Sequence, residues 1–349
     1  MTTEKKDRNT AEQIEDSIAI DDITPISECL RRWEPHQKKG YDPNETRMLD
    51  IFECWTGEED PAIGLVGIPF DSAVLGRKGA KGGPKKIRNA VRYFKAYNWE
   101  LDYWFGDKRV YDFGDIIADS ETVFESHEII SEAVYKITKR GFTLVTLGGD
   151  HSIGYPVLKG LKEAHESKKI GLINIDAHLD VREIIDGRIS SGTPFRRILD
   201  NEIVRGENFV EFGIRNFANA RKYRKYVEDQ GASIYTVDMI RELGLDEIIK
   251  ETITKITKGT DVTYISLDMD GLDQIYSPGV SAPTPDGLHP FQVLKLIHEV
   301  VAQTENIGMD IVELNPIYDT ADTTAINAAN FLVQYVSSFY WKEAKRKGE

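Results

Sequence analysis

Ile173-Asn174-Ile175-Asp176-Ala177-His178-Leu179-Asp180-Val181-Arg182 is an apolar run that stops in Asp-x-His-x-Asp, with an arginine two residues further on. A strand covered on both faces reads as a short, nearly continuous aliphatic run, and Gly171 to Ile175 fits that description. Alternate side chains of an extended chain point the same way. Asp176, His178 and Asp180 are therefore expected to project together from a strand end. Two carboxylates and an imidazole on one side suit a metal ion better than a core.

The same texture repeats on either side. Ile63 to Pro69 reads as a buried strand that ends at Phe70-Asp71-Ser72. Thr143 to Leu147 runs into Gly148-Gly149-Asp150-His151-Ser152. Phe209 to Arg215, Ser233 to Thr236, Val262 to Asp270 and Ile307 to Glu313 are further strand-like runs. Helical patterns separate several of them, at about Lys85 to Arg92, Thr122 to Thr138, Val157 to His165 and, at the end, Thr324 to Lys342. Short apolar strands alternating with helices predict an α/β fold, a three-layer sandwich with a mainly parallel central sheet and helices on both faces. Ligands of such sheets bind outside the carboxyl ends of the strands, so the polar clusters there are expected to meet on one rim.

Residues 1–35 are polar and charged and read as an N-terminal extension, partly flexible, with a short amphipathic helix at Ile26 to Trp33. Residues 36–349 read as one catalytic domain. Within it Met48 to Trp55 has a helical pattern, bounded by the breakers Pro43 and Gly57. The loop Gly76-Arg77-Lys78-Gly79-Ala80-Lys81-Gly82-Gly83-Pro84 is glycine-rich and basic. It lacks the closing Gly-Lys-Ser/Thr of a phosphate-binding P-loop and reads as a turn leading into a helix.

Net charge is −14 over 349 residues. That excludes nucleic acid as the expected partner and disfavours an anionic membrane surface, since both need a basic face. The two cysteines, Cys29 and Cys54, have no metal-type spacing and suit a reducing compartment. The first residues carry no apolar leader core, and no apolar run reaches membrane-spanning length. The expected location is the cytoplasm.

Three clusters supply ligands: His151; Asp176, His178 and Asp180; and Asp268 with Asp270. A single Asp at a strand end is most often a helix N-cap, and Asp-x-Asp alone is a weak signal. Capping gives no reason for a histidine in both Gly-Gly-Asp-His and Asp-x-His-x-Asp. Four carboxylates and two imidazoles exceed the needs of one divalent ion and balance two. So carboxylate-rich a set favours Mn2+ over zinc, and paired ions make hydroxide at neutral pH.

Gly148-Gly149-Asp150-His151-Ser152, Asp176-Ala177-His178-Leu179-Asp180 and Ser266-Leu267-Asp268-Met269-Asp270-Gly271-Leu272-Asp273 resemble the three signatures of the ureohydrolase superfamily (arginase, agmatinase, formimidoylglutamase). The likeness extends from about Gly64 through Pro278-Gly279 to Val312-Glu313-Leu314-Asn315-Pro316. It implies an arginase-like fold and two Mn2+ per subunit. One ion would be held by His151, Asp176, Asp180 and Asp268, the other by Asp176, His178, Asp268 and Asp270. It also implies that Glu313 grips the substrate's amidine or guanidine, that Asp180 carries a proton, and that the chain forms a homo-oligomer, a trimer or a hexamer.

Substrate choice turns on the residues beyond the second signature. Arginase-like members have Asn where Arg182 stands and His where Ser191 stands. Asp180-Val181-Arg182, Ser191-Gly192-Thr193-Pro194-Phe195-Arg196-Arg197 and Asp238-Met239-Ile240-Arg241 resemble formimidoylglutamase. Its substrate, N-formimidoyl-L-glutamate, is a small acidic amidine, and Arg182 can pair with a carboxylate in bidentate fashion. Arg215 is a second candidate for the carboxylates, and Ser191 a further contact; Arg196 and Arg197 could instead begin a helix. A salt bridge of Arg182 to Glu183 or Asp186 is the structural alternative. The expected reaction is attack of a metal-bridging hydroxide on the formimidoyl carbon, giving L-glutamate and formamide, as in histidine degradation. The rivals are an agmatinase, guanidinobutyrase or arginase, each releasing urea, a non-catalytic metal-binding relative, and a single-zinc deacetylase.

Overall fold

The computed structural model describes Ile23–Thr24, Asp42 and residues 44–348 except Glu58. The expected Ile26 to Trp33 helix, and all of the polar extension except Ile23–Thr24, lie outside the described residues.

In chain order the elements are β1 (Ile23–Thr24), β2 (Phe52–Cys54), β3 (Ile63–Gly67), α1 (Gly83–Ala90), β4 (Tyr97–Asn98), β5 (Tyr103–Trp104), β6 (Val110–Ile116), α2 (Val123–Lys139), β7 (Thr143–Leu147), α3 (Gly154–Ala164), β8 (Ile170–Ile175), α4 (Pro194–Asp200), β9 (Val204–Ile214), α5 (Arg221–Asp229), β10 (Ser233–Thr236), α6 (Val237–Leu243), α7 (Leu245–Thr257), β11 (Val262–Asp268), α8 (Pro290–Gln303), β12 (Asn306–Val312) and α9 (Thr323–Lys347). The sheet runs β1-β6-β3-β7-β12-β11-β8-β9-β10, with β2 also on β6. Among the described strands of this sheet, only β1 is antiparallel to its neighbour.

Alternation along the strands separates two cores. Leu65, Val145, Leu147, Ile173 and Ile175 pack with α1, α7, α8 and α9. Val66, Leu144, Leu172, Phe209 and Tyr264 pack with α2, α3, α4 and α5. This is a three-layer sandwich. α2 begins at a capping box, in which Thr122 accepts from the Glu125 N–H and Glu125 accepts from the Thr122 N–H, and it ends with Lys136 and Lys139, favourable at both dipole ends.

The sequence reading departs from the structure at Met48 to Trp55 and at β6, among other elements. Met48 to Trp55 is a 3-10 turn, Met48–Ile51, followed by β2, because the segment's apolar residues add a strand beside β6 instead of covering a helix face. β6 itself carries Asp112 and Asp115, which mask its strand character in sequence. Arg88 of α1 meets Asp112 at 2.9 Å and Asp115 at 2.7 Å. The bidentate pair to Asp112 lets a carboxylate lie within a buried strand.

The chain leaves β7, passes through α3 and enters the sheet again at β8, three positions away. β11 and β12 later fill the gap. β7, β12, β11 and β8 are thereby neighbours, and all four point their carboxyl ends at the same rim.

Candidate metal centre

Each of those four strand ends delivers part of one site: His151 follows β7, Glu313 follows β12, Asp268 and Asp270 close β11, and Asp176 to Asp180 follow β8. The turn after β7 depends on glycine. A Cβ at Gly149 would lie 1.7 Å from the Phe70 carbonyl oxygen, so only glycine permits the approach that aims His151 inward.

Asp176, His178 and Asp180 do not lie on a strand, contrary to the alternation argument. β8 ends at Ile175. The ligands converge because the chain turns. Asp176 Oδ1 accepts from the His178 N–H at 2.6 Å, and Asp180 takes a left-handed backbone, φ 45°. Likewise only Asp268 is in β11, and Asp270 is in the 3-10 turn Met269–Gly271. Glu313 also has φ 64°, with its N–H held by the Gly149 carbonyl at 2.8 Å. Strained non-glycine backbone concentrates at working sites, and sequence gives no sign of it.

Two groups of ligand atoms result. His151 Nδ1 faces Asp176 Oδ2, Asp180 Oδ2 and Asp268 Oδ2 at 3.2, 3.2 and 3.1 Å. His178 Nδ1 faces Asp176 Oδ1 at 3.4 Å and Asp270 Oδ2 at 3.2 Å. The groups are His151, Asp176, Asp180, Asp268 and Asp176, His178, Asp270. Asp176 belongs to both, one oxygen to each. Asp268, expected in both, lies in the first group only.

Burial and neighbouring carboxylates push Asp180 up to about 6 and raise Asp268 well above the carboxylate range. The charge of Asp270, working against burial, draws His178 up to about 12. Burial opposes the anion of Asp176, yet both imidazoles favour it and hold that carboxyl low. His151 Nδ1 is buried and has no hydrogen-bond partner among the described residues. Packed acids around an unsatisfied imidazole nitrogen are the donor set of a divalent cation. The other nitrogen, Nε2, meets the Ser266 hydroxyl at 3.0 Å, and Ser266 donates to Asp310 at 2.7 Å. That chain favours the tautomer whose Nδ1 lone pair faces the acids.

A small cleft opens onto both groups. Arg182, Ser191, Ser281 and Glu313 are among its walls. Glu313 Oε1 accepts from the His151 N–H at 2.8 Å, and its buried Oε2 has no partner among the described residues. Burial, then the charge of Asp150, push this carboxyl up to about 8. Ser191 Oγ accepts from the Leu75 N–H at 3.1 Å. Ser281, which sequence reasoning missed for want of any motif around it, lines the same cleft as Glu313.

Arg182 forms no ion pair among the described residues. Glu183 is taken by Lys222 at 2.6 Å. The Arg182 side chain lies over Gly192, where a Cβ would come within 2.6 Å of its Cδ, and its guanidinium is 5.8 Å from the Tyr223 ring centre.

Arg215 corrects the sequence reading. Its Nη2 donates to the Asp270, Gly271 and Leu272 carbonyls at 2.9, 2.6 and 2.6 Å, and its Nη1 to Thr284. It braces the Asp270 turn, and those donors are not free for a substrate carboxylate. Arg196 and Arg197 lie in α4. Arg196 pairs with Asp200, and Arg197 stacks on Tyr155 and meets His127 Nδ1 at 2.8 Å.

Comparison with known proteins agrees with this geometry. The family model described as Arginase family matches residues 61–337. Formimidoylglutamase of Bacillus subtilis (strain 168) is 35% identical over 294 residues, 84% of this chain and 92% of the relative. The mitochondrial agmatinase of Gallus gallus is 35% identical over 281 residues, 80% of this chain and 81% of the relative. In structure, the Bacillus subtilis formimidoylglutamase superposes with a TM-score of 0.82 at 33% identity, covering 88% of this chain and 98% of the other. Trypanosoma cruzi formiminoglutamase, crystallised with Mn2+, gives 0.77 at 28% identity, covering 85% and 99%. Among the described residues no helix is long and apolar enough to cross a membrane.

Proposed function

The chain belongs to the arginase family, and from that premise we propose that it hydrolyses N-formimidoyl-L-glutamate to L-glutamate and formamide. Hydrolase chemistry at a carbon–nitrogen bond follows from the family. The single observation that carries the substrate is Arg182, a guanidinium without an anionic partner among the described residues, on the wall of the cleft that also holds Glu313. Agmatine, with a second cationic end and no carboxylate, would be repelled there.

His151, Asp176, Asp180 and Asp268 would hold one Mn2+, and Asp176, His178 and Asp270 the other. When bound, such a pair lowers the pKa of water and supplies the hydrolytic nucleophile at neutral pH. The protein's own groups do the rest. Glu313 receives the planar amidinium, whose paired N–H donors match a carboxylate. Burial raises the Glu313 pKa, and a cation placed against it favours the carboxylate form. Asp180 is placed to take a proton and pass it to the departing glutamate nitrogen. Arg182 holds a substrate carboxylate and sets which end of the substrate enters. Ser191, beside it, limits the cleft.

Arg182→Gln tests the substrate assignment. A hydrogen bond to a charged group contributes roughly 1.5–3 kcal/mol, so KM for formimidoyl-glutamate is expected to rise roughly ten- to a hundredfold, with kcat changed far less. An unchanged KM in steady-state kinetics would remove the basis for an acidic substrate. We also place residues 36–349 in one catalytic domain, for want of a composition break, and the protein in the cytoplasm, from its cysteine usage and apolar patterning; the family resemblance supports a homo-oligomer, a trimer or hexamer.

A further inference from the structure

The strands that form the site share a buried polar row. Cα pairing places Thr146 of β7 opposite Asp310 of β12, Asp310 opposite Ser266 of β11, Ser266 opposite Asn174 of β8, and Asn174 opposite Glu211 of β9. These five residues are all buried. They sit on one face of five adjacent strands, close below the metal ligands. The Ser266–Asp310 part is accounted for by its contact with His151. The Asn174–Glu211 part is not.

Glu211 has no exposed surface. Its Oε2 accepts from Asn174 Nδ2 at 2.8 Å, and its Oε1 has no partner among the described residues. It belongs to neither ligand group. A carboxyl buried with one neutral donor destabilises a fold, and an apolar pair of the same size would be more stable. Its presence therefore needs another explanation than packing. Asn174 supplies one. The same Nδ2 that donates to Glu211 also donates to Asp176 Oδ2 at 3.3 Å. That oxygen is the one facing His151, while Oδ1 faces His178. The His178 N–H holds Oδ1 at 2.6 Å, and the Asn174 amide is the donor that fixes the other oxygen, Oδ2, so the two together keep one oxygen turned to each group.

We propose that Glu211 is a positioning residue: it anchors the Asn174 carboxamide, which in turn holds Asp176 with one oxygen turned to each metal group. Glu211 contacts neither substrate nor metal. It acts at the layer behind the ligands, where loss of a partner costs metal affinity, about 10–100-fold.

The inference rests on the site being a metal site, and not on the identity of the substrate. The experiment is calorimetric titration of Mn2+ into chelator-stripped full-length protein, alongside thermal melts of the stripped samples. Glu211→Leu, which removes the acceptor, is expected to weaken Mn2+ binding about 10–100-fold with a Tm no lower than that of the parent. Glu211→Gln keeps an acceptor for Asn174 and is expected to restore affinity to within a few-fold. Asn174→Ala leaves Glu211 in place and should weaken binding as Glu211→Leu does, which keeps the test decisive if the leucine variant does not fold. Parental Mn2+ affinity in Asn174→Ala or in a folded Glu211→Leu would overturn the proposal. Failure of the parent protein to bind Mn2+ would instead overturn the reading of the site.

Discussion

Glu313→Gln is expected to abolish most turnover while both metal groups keep their ions. The glutamine can still accept from the His151 N–H, as Oε1 does at 2.8 Å, so the turn after β7 stays in place. What is lost is the charge that faces the amidinium. Leaving a buried ion without its partner costs roughly 3–5 kcal/mol, so kcat/KM should fall by roughly a hundred- to a thousandfold or more. Metal content should not change, because Glu313 lies outside both ligand groups. Stability should not fall either. Burial, then Asp150, raise the Glu313 carboxyl to about 8, above its unfolded value, so the unfolded chain binds fewer protons between the two values. Stability then declines as pH rises through that window, and a neutral amide removes the penalty. Kinetics beside elemental analysis and a thermal melt read all three. Parental turnover with metals bound would remove Glu313 from the mechanism.

Asp176→Asn should act through the metals instead. Asp176 is the residue common to both ligand groups, and its two oxygens point to different imidazoles. An asparagine offers one weak oxygen ligand and an NH2 that repels a cation. Mn2+ affinity should fall by more than the roughly 10–100-fold typical of losing an outer partner, with turnover lost alongside and the melt of the stripped protein retained. Full Mn2+ occupancy in this variant would show that Asp176 is not the shared ligand. Full occupancy with activity lost only on Asp176 replacement would be equally inconsistent with the two-group site.

Much of the fold was legible in the residues because the sheet is buried on both faces. Thr143–Leu147 and Ser233–Thr236 have the bounds that the apolar runs suggest. β6 was hidden because its aspartates look like loop chemistry until Arg88 is placed beside them. The ligand identities were legible because histidine recurs where a cap would not need it. Their geometry was not. The periodicity of a strand suggested alternation, whereas the real convergence comes from turns, from the left-handed Asp180 and Glu313, and from the approach at Gly149. Arg215 shows the same limit. A cation at a strand end looks available to a ligand until the carbonyls around it are counted. Asn174 and Glu211 carry no motif that would single them out, and only the strand register brings them together.

The substrate is the central claim, and product analysis tests it most directly. The Mn2+-loaded protein should be given N-formimidoyl-L-glutamate, L-arginine, agmatine and 4-guanidinobutyrate at equal concentration, with formamide, glutamate and urea measured. The expected result is formamide and glutamate in equal amounts from the first compound and little or no urea from the others. Rapid release of urea, with N-formimidoyl-L-glutamate left intact, would contradict the account.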